Sequence, residues 1–232
     1  MTFTETIERA REESRTLLSE VEAKIALAEA GVPVTVTRLA QTREEAVAQA
    51  EALRYPVALK VTSPNVAHKS DVGGVVLGLE NQEEVANAYD EIISSVNANQ
   101  PEAIIEGVSV QEMTAPGVEV IIGMTTDPQF GPVMMFGLGG IMVEVLGDVA
   151  FRLAPLGTGD AQDMINEIKG RQVLDGVRGQ PPVDIDAIEL ILDRVSAFAA
   201  KHPEVLELDL NPVIASPEGA IAVDARIVLA EA

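Results

Sequence analysis

The chain has 232 residues, of which 47% are hydrophobic and only 3% aromatic, which predicts a folded globule of one or two modest lobes with an aliphatic core. Its formal net charge of −21 argues against nucleic-acid and membrane partners, because an acidic surface repels phosphate backbones and anionic lipids. The absence of cysteine excludes disulfides, zinc–thiolate sites and cysteine nucleophiles.

The start of the chain carries no targeting signal that we can identify. Residues 1–5 have no positive charge, and no apolar run follows them. The longest uncharged stretch, 128–143, contains four glycines and two prolines, and it is shorter than the roughly 18 apolar residues of a membrane span. We therefore expect a cytoplasmic protein.

Two helices are predicted at the N-terminus. Apolar and small residues recur at helical spacing from Ile7 to Val21, among charged residues. Ser19 and Glu22 have the spacing of a capping box. They predict a second helix that stops at Gly31.

The segment 32–96 predicts the order βαββα. "VPVTVTRL", "YPVALKV" and "GGVVLGL" are typical of strands. Thr42 and Glu45 form a second possible capping box, and Asn81 is placed to cap the last helix.

The pattern of predicted helices and strands changes near residue 100. "AIIEGVSVQEM", "GVEVIIGMT" and "GPVMMFGL" predict strands, and helices are expected at about 161–169 and 185–200. Two final strands, "VLELDLNPVIA" and "AIAVDARIV", are joined at 216–219. The change predicts an α+β protein of two lobes.

The motif "ELDLNP" places polar side chains on alternate positions of a strand. Glu207, Asp209 and Asn211 therefore share one face. The intervening residues share the other face: Leu206, Leu208 and Leu210.

The final hairpin predicts a metal pair. If Ser216 pairs with Gly219, then Asn211 lies opposite Asp224, and one Mg²⁺ ion could touch both side chains, whose Cβ atoms would be about 5 Å apart. A bulge at the proline-containing turn would move this register by one residue. The alternative interpretation is an edge hairpin with a solvated acidic face.

A glycine-rich loop, "AHKSDVGGV", follows the strand that ends near Lys60. It holds His68, one of only two histidines in the chain. Backbone N–H groups of a pair such as Gly73 and Gly74 can approach phosphates closely. Neither a Walker motif nor GxGxxG is present. The alternative interpretation is therefore that His68 is a loop histidine without a special role. His202 is assigned no role.

The stretch "VQEMTAPGVEVIIG" joins the two predicted lobes. An extended segment there could offer backbone groups to a purine edge, and Glu119 could reach a ribose. A plain connecting strand is the alternative interpretation.

Three stretches together resemble a known family. "ALKVTSPNVAHKSDVGGVVLGL", "VQEMTAPGVEVIIGMTTDPQFGPVMMFGLGGIMVE" and "ELDLNPVIA" are similar to the β subunit of ADP-forming acetyl-CoA synthetases, an ATP-grasp protein of the acyl-CoA synthetase superfamily. The resemblance implies an ATP-grasp fold with the nucleotide between two lobes. The expected parts are an N-terminal helix packed on the second lobe (1–23), a first lobe (24–107) and a second lobe (108–232).

The resemblance also implies a role for each candidate residue. His68 corresponds to a phosphoryl carrier on a swinging loop, and Asp209 to the carboxylate that orients the phosphohistidine. Asn211 and Asp224 correspond to the Mg²⁺ ligands. The implied nucleotide-contacting residues are Lys60 at the phosphates, Gly73 and Gly74 in the loop, Gln111, Glu112 and Met113 at the adenine, and Glu119 at the ribose.

The implied reaction converts acyl-CoA, ADP and phosphate into a carboxylic acid, CoA and ATP, with Mg²⁺ and ADP or ATP as cofactors. The sequence contains no CoA-binding lobe and no second carrier histidine that we can identify. A CoA-binding α subunit is therefore expected, within an α₂β₂ heterotetramer.

Two other functions fit parts of the sequence. A stand-alone ATP-grasp carboxylate–amine ligase would use an acyl phosphate without a carrier histidine. A non-catalytic nucleotide-sensing subunit would bind ADP without histidine phosphorylation.

Overall fold

The computed structural model describes residues 2–66, 69–140, 147–177 and 179–231, which form two compact α+β units. The small unit is Thr35–Thr114, and the large unit combines Met1–Val34 with Ala115–Ala232. These limits differ from the expected 24–107 and 108–232. The second helix belongs to the large unit because its apolar side chains enter that unit's core, and the small unit extends past 107 because its last strand starts there.

The elements are as follows in chain order: α1 Phe3–Glu12, α2 Glu20–Glu29, β1 Thr37–Ala40, α3 Arg43–Leu53, β2 Val57–Thr62, β3 Val75–Leu79, α4 Gln82–Asn99, β4 Gly107–Glu112, β5 Val118–Asp127, β6 Gly131–Leu138, β7 Val149–Leu153, α5 Asp160–Glu167, a 3₁₀ helix Lys169–Val173, α6 Ile185–Lys201, β8 Val205–Ser216, β9 Gly219–Ala222 and β10 Arg226–Leu229. No helix among the described residues is both long and apolar enough to cross a bilayer.

The small unit is a four-stranded antiparallel sheet in the order β1–β4–β2–β3, packed against α3 and α4. Val57, Leu59 and Val61 of β2 enter this core. The alternate residues of the strand therefore lie on the other face of the sheet. Thr42 and Asn81 cap α3 and α4 as predicted.

The large unit is built on a six-stranded antiparallel sheet in the order β10–β8–β5–β6–β7, with β9 also paired to β8. Side chains from α1, α2, α5 and α6 join alternate strand residues in one core. The other face of the sheet, called the open face below, carries the remaining strand residues. Strand β7 was not predicted, because five residues with one arginine give too short a pattern.

The first helix is shorter than the sequence pattern suggested. It ends at Glu12, and Ser14 has a positive φ of 54°. The following residues pair with β10: the Leu18 N–H donates to the Ile227 carbonyl at 3.1 Å, and Leu17 bridges Val228. These backbone hydrogen bonds hold the segment extended. The predicted strand at 32–39 is likewise reduced to β1 at Thr37–Ala40.

The predicted capping box of α2 is confirmed and is part of an ion network. The Glu22 N–H donates to Ser19 Oγ at 3.3 Å, and the Ser19 N–H donates to the Glu22 carboxylate at 2.7 Å. Arg15 and Arg9 also donate to this carboxylate, whose side chain is only 8% exposed. Burial by itself raises the pKa of Glu22, but the hydrogen bonds from Arg15, Ser19 and Arg9 outweigh it and lower the pKa to about 2.

We expect Glu22→Gln to lower the free energy of unfolding at pH 7 by about 3 kcal/mol, while keeping the cap. Because the folded-state pKa of Glu22 is depressed, its contribution is complete above its ordinary value of 4.5 and is lost as the pH falls towards about 2. Urea unfolding of the wild type and of Glu22→Gln at pH 7 and pH 3 measures this difference in stability. Glu8→Gln, at an exposed position, is the control. A difference independent of pH would contradict the assignment.

Candidate functional site

The register of the large sheet aligns five side-chain positions in a row across the open face. Arg226 pairs with Asp209, Asp209 with Gly123, Gly123 with Met135, and Met135 with Phe151. Because paired residues point to the same face, this row is ionic at one end and apolar at the other. Gly123 separates the two parts, and a Cβ there would lie 3.0 Å from Met135 Cε.

The neighbouring row contains the predicted metal pair. Ser216 pairs with Gly219, as predicted, and the same register continues to Val213 and Ala222. The same register is found again in the ladder between β8 and β10, where Asp209 pairs with Arg226. Between the two ladders the Val223 N–H donates to the Pro212 carbonyl at 2.9 Å, so the shared register would set Asn211 opposite Asp224, which lies between β9 and β10. The turn therefore contains no bulge that would shift the pair.

A β-bulge does occur on the other side of β8, where it pairs with β5. Val120 pairs with Val213, whereas Ile122 pairs with Leu210. Two residues of β8, Asn211 and Pro212, therefore lie opposite a single residue of β5. A bulge tolerates proline, which has no N–H for the ladder, and it redirects neighbouring side chains. Asn211 is exposed at this irregularity.

One leucine of β8 departs from the predicted alternation. Leu208 and Leu210 are buried in the core, but Leu206 is 38% exposed and Val205 is buried in its place. The register of β8 against β10 shifts between Val228 and Leu229. This second bulge turns Leu206 outwards, so the predicted apolar face is correct for two leucines and wrong for the third.

Asp209 is partly buried among charged groups on the open face. Burial raises its pKa, the charge of Arg226 lowers it, and the carboxylates of Asp224 and Glu207 raise it further. The result is a pKa above the ordinary value of a carboxyl group. Arg226 also forms an ion pair with Glu207 at 3.3 Å. The region is a carboxylate cluster that one arginine only partly neutralises.

Glu119 lies on the open face as well. Its neighbour Val120 is in the core, so the side chain of Glu119 points the opposite way. The Gly139 N–H donates to its carbonyl at 2.7 Å, and a Cβ on Gly140 would lie 3.3 Å from its carboxylate. Glu119 therefore lies against a glycine pair and is exposed.

The donors of this face suit a hard cation that also binds a phosphate. Within the described ranges, no group of three or more His, Cys, Asp or Glu residues could enclose a metal. Asn211 and Asp224 supply two oxygen-bearing side chains, and Mg²⁺ typically takes one or two carboxylates together with substrate phosphates. The residues present thus fit Mg²⁺ in a nucleotide complex better than a metal held by protein alone.

The small unit places Lys60 and Gln111 on the face of its sheet opposite the core. Lys60 pairs with Ser109, and Gln111 pairs with Ala58 on the adjacent strand. Lys60 and Gln111 are only 7% and 2% exposed. The Ser109 hydroxyl donates to the Lys60 carbonyl at 3.3 Å. Both side chains are thus fixed on a sheet rather than on a loop.

Glu112 and Met113 follow Gln111 at the end of β4. The Glu112 carboxylate accepts a hydrogen bond from the Val36 N–H at 2.9 Å. The Met113 N–H donates to the Pro56 carbonyl at 3.3 Å, and its side chain is exposed. This segment is therefore tied to the small unit by its own backbone.

Gly73 and Gly74 close a tight turn, and their N–H groups donate hydrogen bonds to carbonyls of that same turn. They donate to the carbonyls of Ser70 at 3.2 Å and Lys69 at 2.7 Å. Gly73 has φ +70°, and a Cβ on Gly74 would lie 2.6 Å from Val61 Cγ1. Here the glycines allow close packing, which differs from the expectation that their N–H groups face a phosphate. His68 lies outside the described residues.

Comparison with known proteins identifies the family. An ATP-grasp domain model matches residues 9–229. The chain is 46% identical to subunit beta of acetate–CoA ligase [ADP-forming] I from Pyrococcus furiosus, over 97% of both chains. The chain belongs to the ATP-grasp family of ADP-forming acetate–CoA ligase β subunits.

Two solved structures of acetyl-CoA synthetase 1 from Ca. Korarchaeum cryptofilum are similar to this ATP-grasp chain. One, in complex with coenzyme A and Ca-AMPCP, is 51% identical with a TM-score of 0.95, covering 97% of this chain and 99% of the other. The second, with coenzyme A and Mg-AMPPCP, has its phosphohistidine segment pointing towards the nucleotide binding site. It is 47% identical with a TM-score of 0.88, covering 98% and 100%.

The sequence patterns missed Arg226, Gly123 and Met135 of this ATP-grasp chain. Arg226 lies two residues beyond Asp224, which was a usable signal on a predicted strand. Gly123 and Met135 could not be found in this way, because their proximity to Asp209 depends on the pairing of β8, β5 and β6.

We expect Arg226→Gln to raise the pKa of Asp209 further, because it removes the positive charge that opposes the effects of burial and of the neighbouring carboxylates. A ¹³C NMR titration of the aspartate carboxyl carbons measures this shift. Lys169→Gln, which removes a charge from an exposed position of the same unit, should leave that titration unchanged. An unchanged Asp209 titration in Arg226→Gln would contradict this account of the cluster.

Proposed function

We propose that this chain is the nucleotide-binding β subunit of an ADP-forming acyl-CoA synthetase, acting with acetyl-CoA. The proposal rests on one observation above all: the chain is similar over nearly its whole length to such a β subunit. The register that the two ladders of β8 share, which would set Asn211 opposite Asp224, supports it. The overall reaction is acyl-CoA, ADP and phosphate to carboxylic acid, CoA and ATP.

The proposed chemistry is two phosphoryl transfers through His68. Acyl-CoA and phosphate first give an acyl phosphate and free CoA on the partner. The neutral His68 imidazole then attacks phosphorus, forming a P–N bond as the P–O bond to the carboxylate breaks. A β-phosphate oxygen of ADP next attacks the same phosphorus, so that a P–O bond forms and the P–N bond breaks. Neutral imidazole is a suitable nucleophile near pH 7.

The open face of the large unit would hold the nucleotide through its metal. Asn211 and Asp224 would bind Mg²⁺, which when bound neutralises phosphate charge during transfer. Asp209 would accept a hydrogen bond from the phosphohistidine ring and so orient it. Glu119, exposed on the same face, would accept a hydrogen bond from the ribose.

The small unit would supply the groups that recognise the rest of the nucleotide. The ammonium of Lys60 would contact the phosphates, while Gln111, Glu112 and Met113 would border the adenine. A lysine on an otherwise acidic chain gives local attraction where the polyanion has to bind.

The proposed enzyme needs a second polypeptide. The relative from Pyrococcus furiosus is named as a subunit, and the solved relatives contain coenzyme A. We propose a CoA-binding α subunit, assembled with this chain as an α₂β₂ heterotetramer, on which the acyl phosphate is formed.

We expect Asp224→Ala to weaken Mg²⁺–ADP binding at least tenfold, because it removes a charged ligand of the proposed metal. Isothermal titration with and without Mg²⁺ measures this, and Asn211→Ala should act in the same direction. Glu218→Ala removes a carboxylate from the exposed β8–β9 turn of the same hairpin and should bind as wild type. Equal affinity in Asp224→Ala would refute the metal assignment.

We expect γ-labelled ATP to leave on the chain one label that is stable in base and lost in acid, as phosphohistidine is. His68→Asn should abolish this label and overall turnover with the partner, but it should retain Mg²⁺–ADP binding. His202→Asn is the matched control, because the chain has only two histidines, and it should keep the label. Turnover of His68→Asn near the wild-type rate would rule out the carrier mechanism.

A further inference from the structure

The large unit contains a cavity that none of the proposed catalytic residues lines. It has a volume of about 270 Å³ and lies among α1, α2 and α6. Its chemically informative lining residues are Phe3, Glu29, Arg194, Phe198, Lys201 and His202. A volume near 300 Å³ suits a small ligand rather than a nucleotide with its metal.

Three aromatic rings form one wall of this cavity. The ring centroids of Phe3 and Phe198 are 4.9 Å apart, and each lies 4.7 Å from that of His202, with Phe3 edge-on to the imidazole. The imidazole is held in place by Glu204, whose carboxylate is 3.0 Å from Nδ1. This wall is aromatic, and it can pack against a flat group.

Two exposed cations, Arg194 and Lys201, line the same cavity. Neither Arg194 nor Lys201 forms an ion pair or hydrogen bond with any residue that the structure describes. Acidic residues outnumber basic ones by 37 to 16 in the chain, so partners for cations are abundant elsewhere. Cations near helix C-termini are ordinary by themselves. Two unpaired cations beside one aromatic wall, in so acidic a chain, are not explained in that way.

The cavity also holds a carboxylate, Glu29, whose charge opposes the two cations. That carboxylate already accepts a hydrogen bond from the Phe3 N–H at 2.9 Å. The guanidinium of Arg194 lies beside Gly31 at the end of α2, where a Cβ on Gly31 would be 3.4 Å from its Nη1. Arg194 is exposed, so its planar set of N–H donors is accessible to a ligand.

We propose that this cavity binds a small organic anion, in which a phosphate or carboxylate is carried on an aromatic or flat apolar body. The anionic group is held by Arg194 and Lys201, and the body packs against Phe3, Phe198 and His202. Such a site shares no residue with the proposed nucleotide site and does not depend on it.

Calorimetric titration of the full chain with phenyl phosphate and with phenylacetate tests the proposal and tells the two anionic groups apart. Inorganic phosphate lacks the body, and benzyl alcohol lacks the charge. The most informative variant is Ala197→Glu, which places a negative charge at an exposed position lining the cavity. Ala197→Gln has the same size without the charge, and Ala200→Glu places the charge on the same helix but outside the cavity.

We expect one-to-one binding of at least one aromatic anion, tighter than that of either control compound. Arg194→Gln and Ala197→Glu should each weaken this binding by roughly tenfold, the loss expected for one charge-assisted contact. Ala197→Gln and Ala200→Glu should bind as wild type, and thermal unfolding should show that all variants are folded. Failure of both aromatic anions to bind saturably, or equal binding to Ala197→Glu and wild type, would overturn the proposal.

Discussion

The arrangement of β8 constrains every other feature of the candidate site. This strand pairs with β5 on one side and with β9 and β10 on the other. A slip of one residue would exchange the core face for the open face along the whole strand. Because Leu208 and Leu210 are buried, that slip is costly, and core packing thereby fixes Asp209, which lies between them, on the open face. The geometry of the site follows from the burial of its leucines.

The overall acidity of the chain repels a nucleotide at long range, but charge acts locally at a binding site. Asp209, Asp224 and Glu207 together form a region that attracts cations, and a nucleotide carrying Mg²⁺ brings its own positive charge. The single arginine of this region is already paired with Glu207. We therefore expect the acidic sheet face to favour a metal complex over free phosphate, whereas Lys60 belongs to the other unit.

Sequence patterns predicted those parts of the fold that local chemistry determines. The caps at Ser19, Thr42 and Asn81 are confirmed because each depends on residues within one helical turn. The hairpin register is confirmed because a short turn sets it. What the patterns missed depends on distant residues: α1 stops early because β10 competes for the following backbone, and Leu206 turns outwards at a bulge against that same strand.

The asparagine at position 211 suits the charges that surround Asp209. The carboxylates of Asp224 and Glu207 already raise the pKa of Asp209. A fourth carboxylate at the bulge would raise it further. An amide oxygen supplies a ligand for a hard cation without adding charge. In the proposed function, Asn211 would therefore serve as a metal ligand with Asp224 without adding a charge beside Asp209, which would accept a hydrogen bond from the phosphohistidine ring.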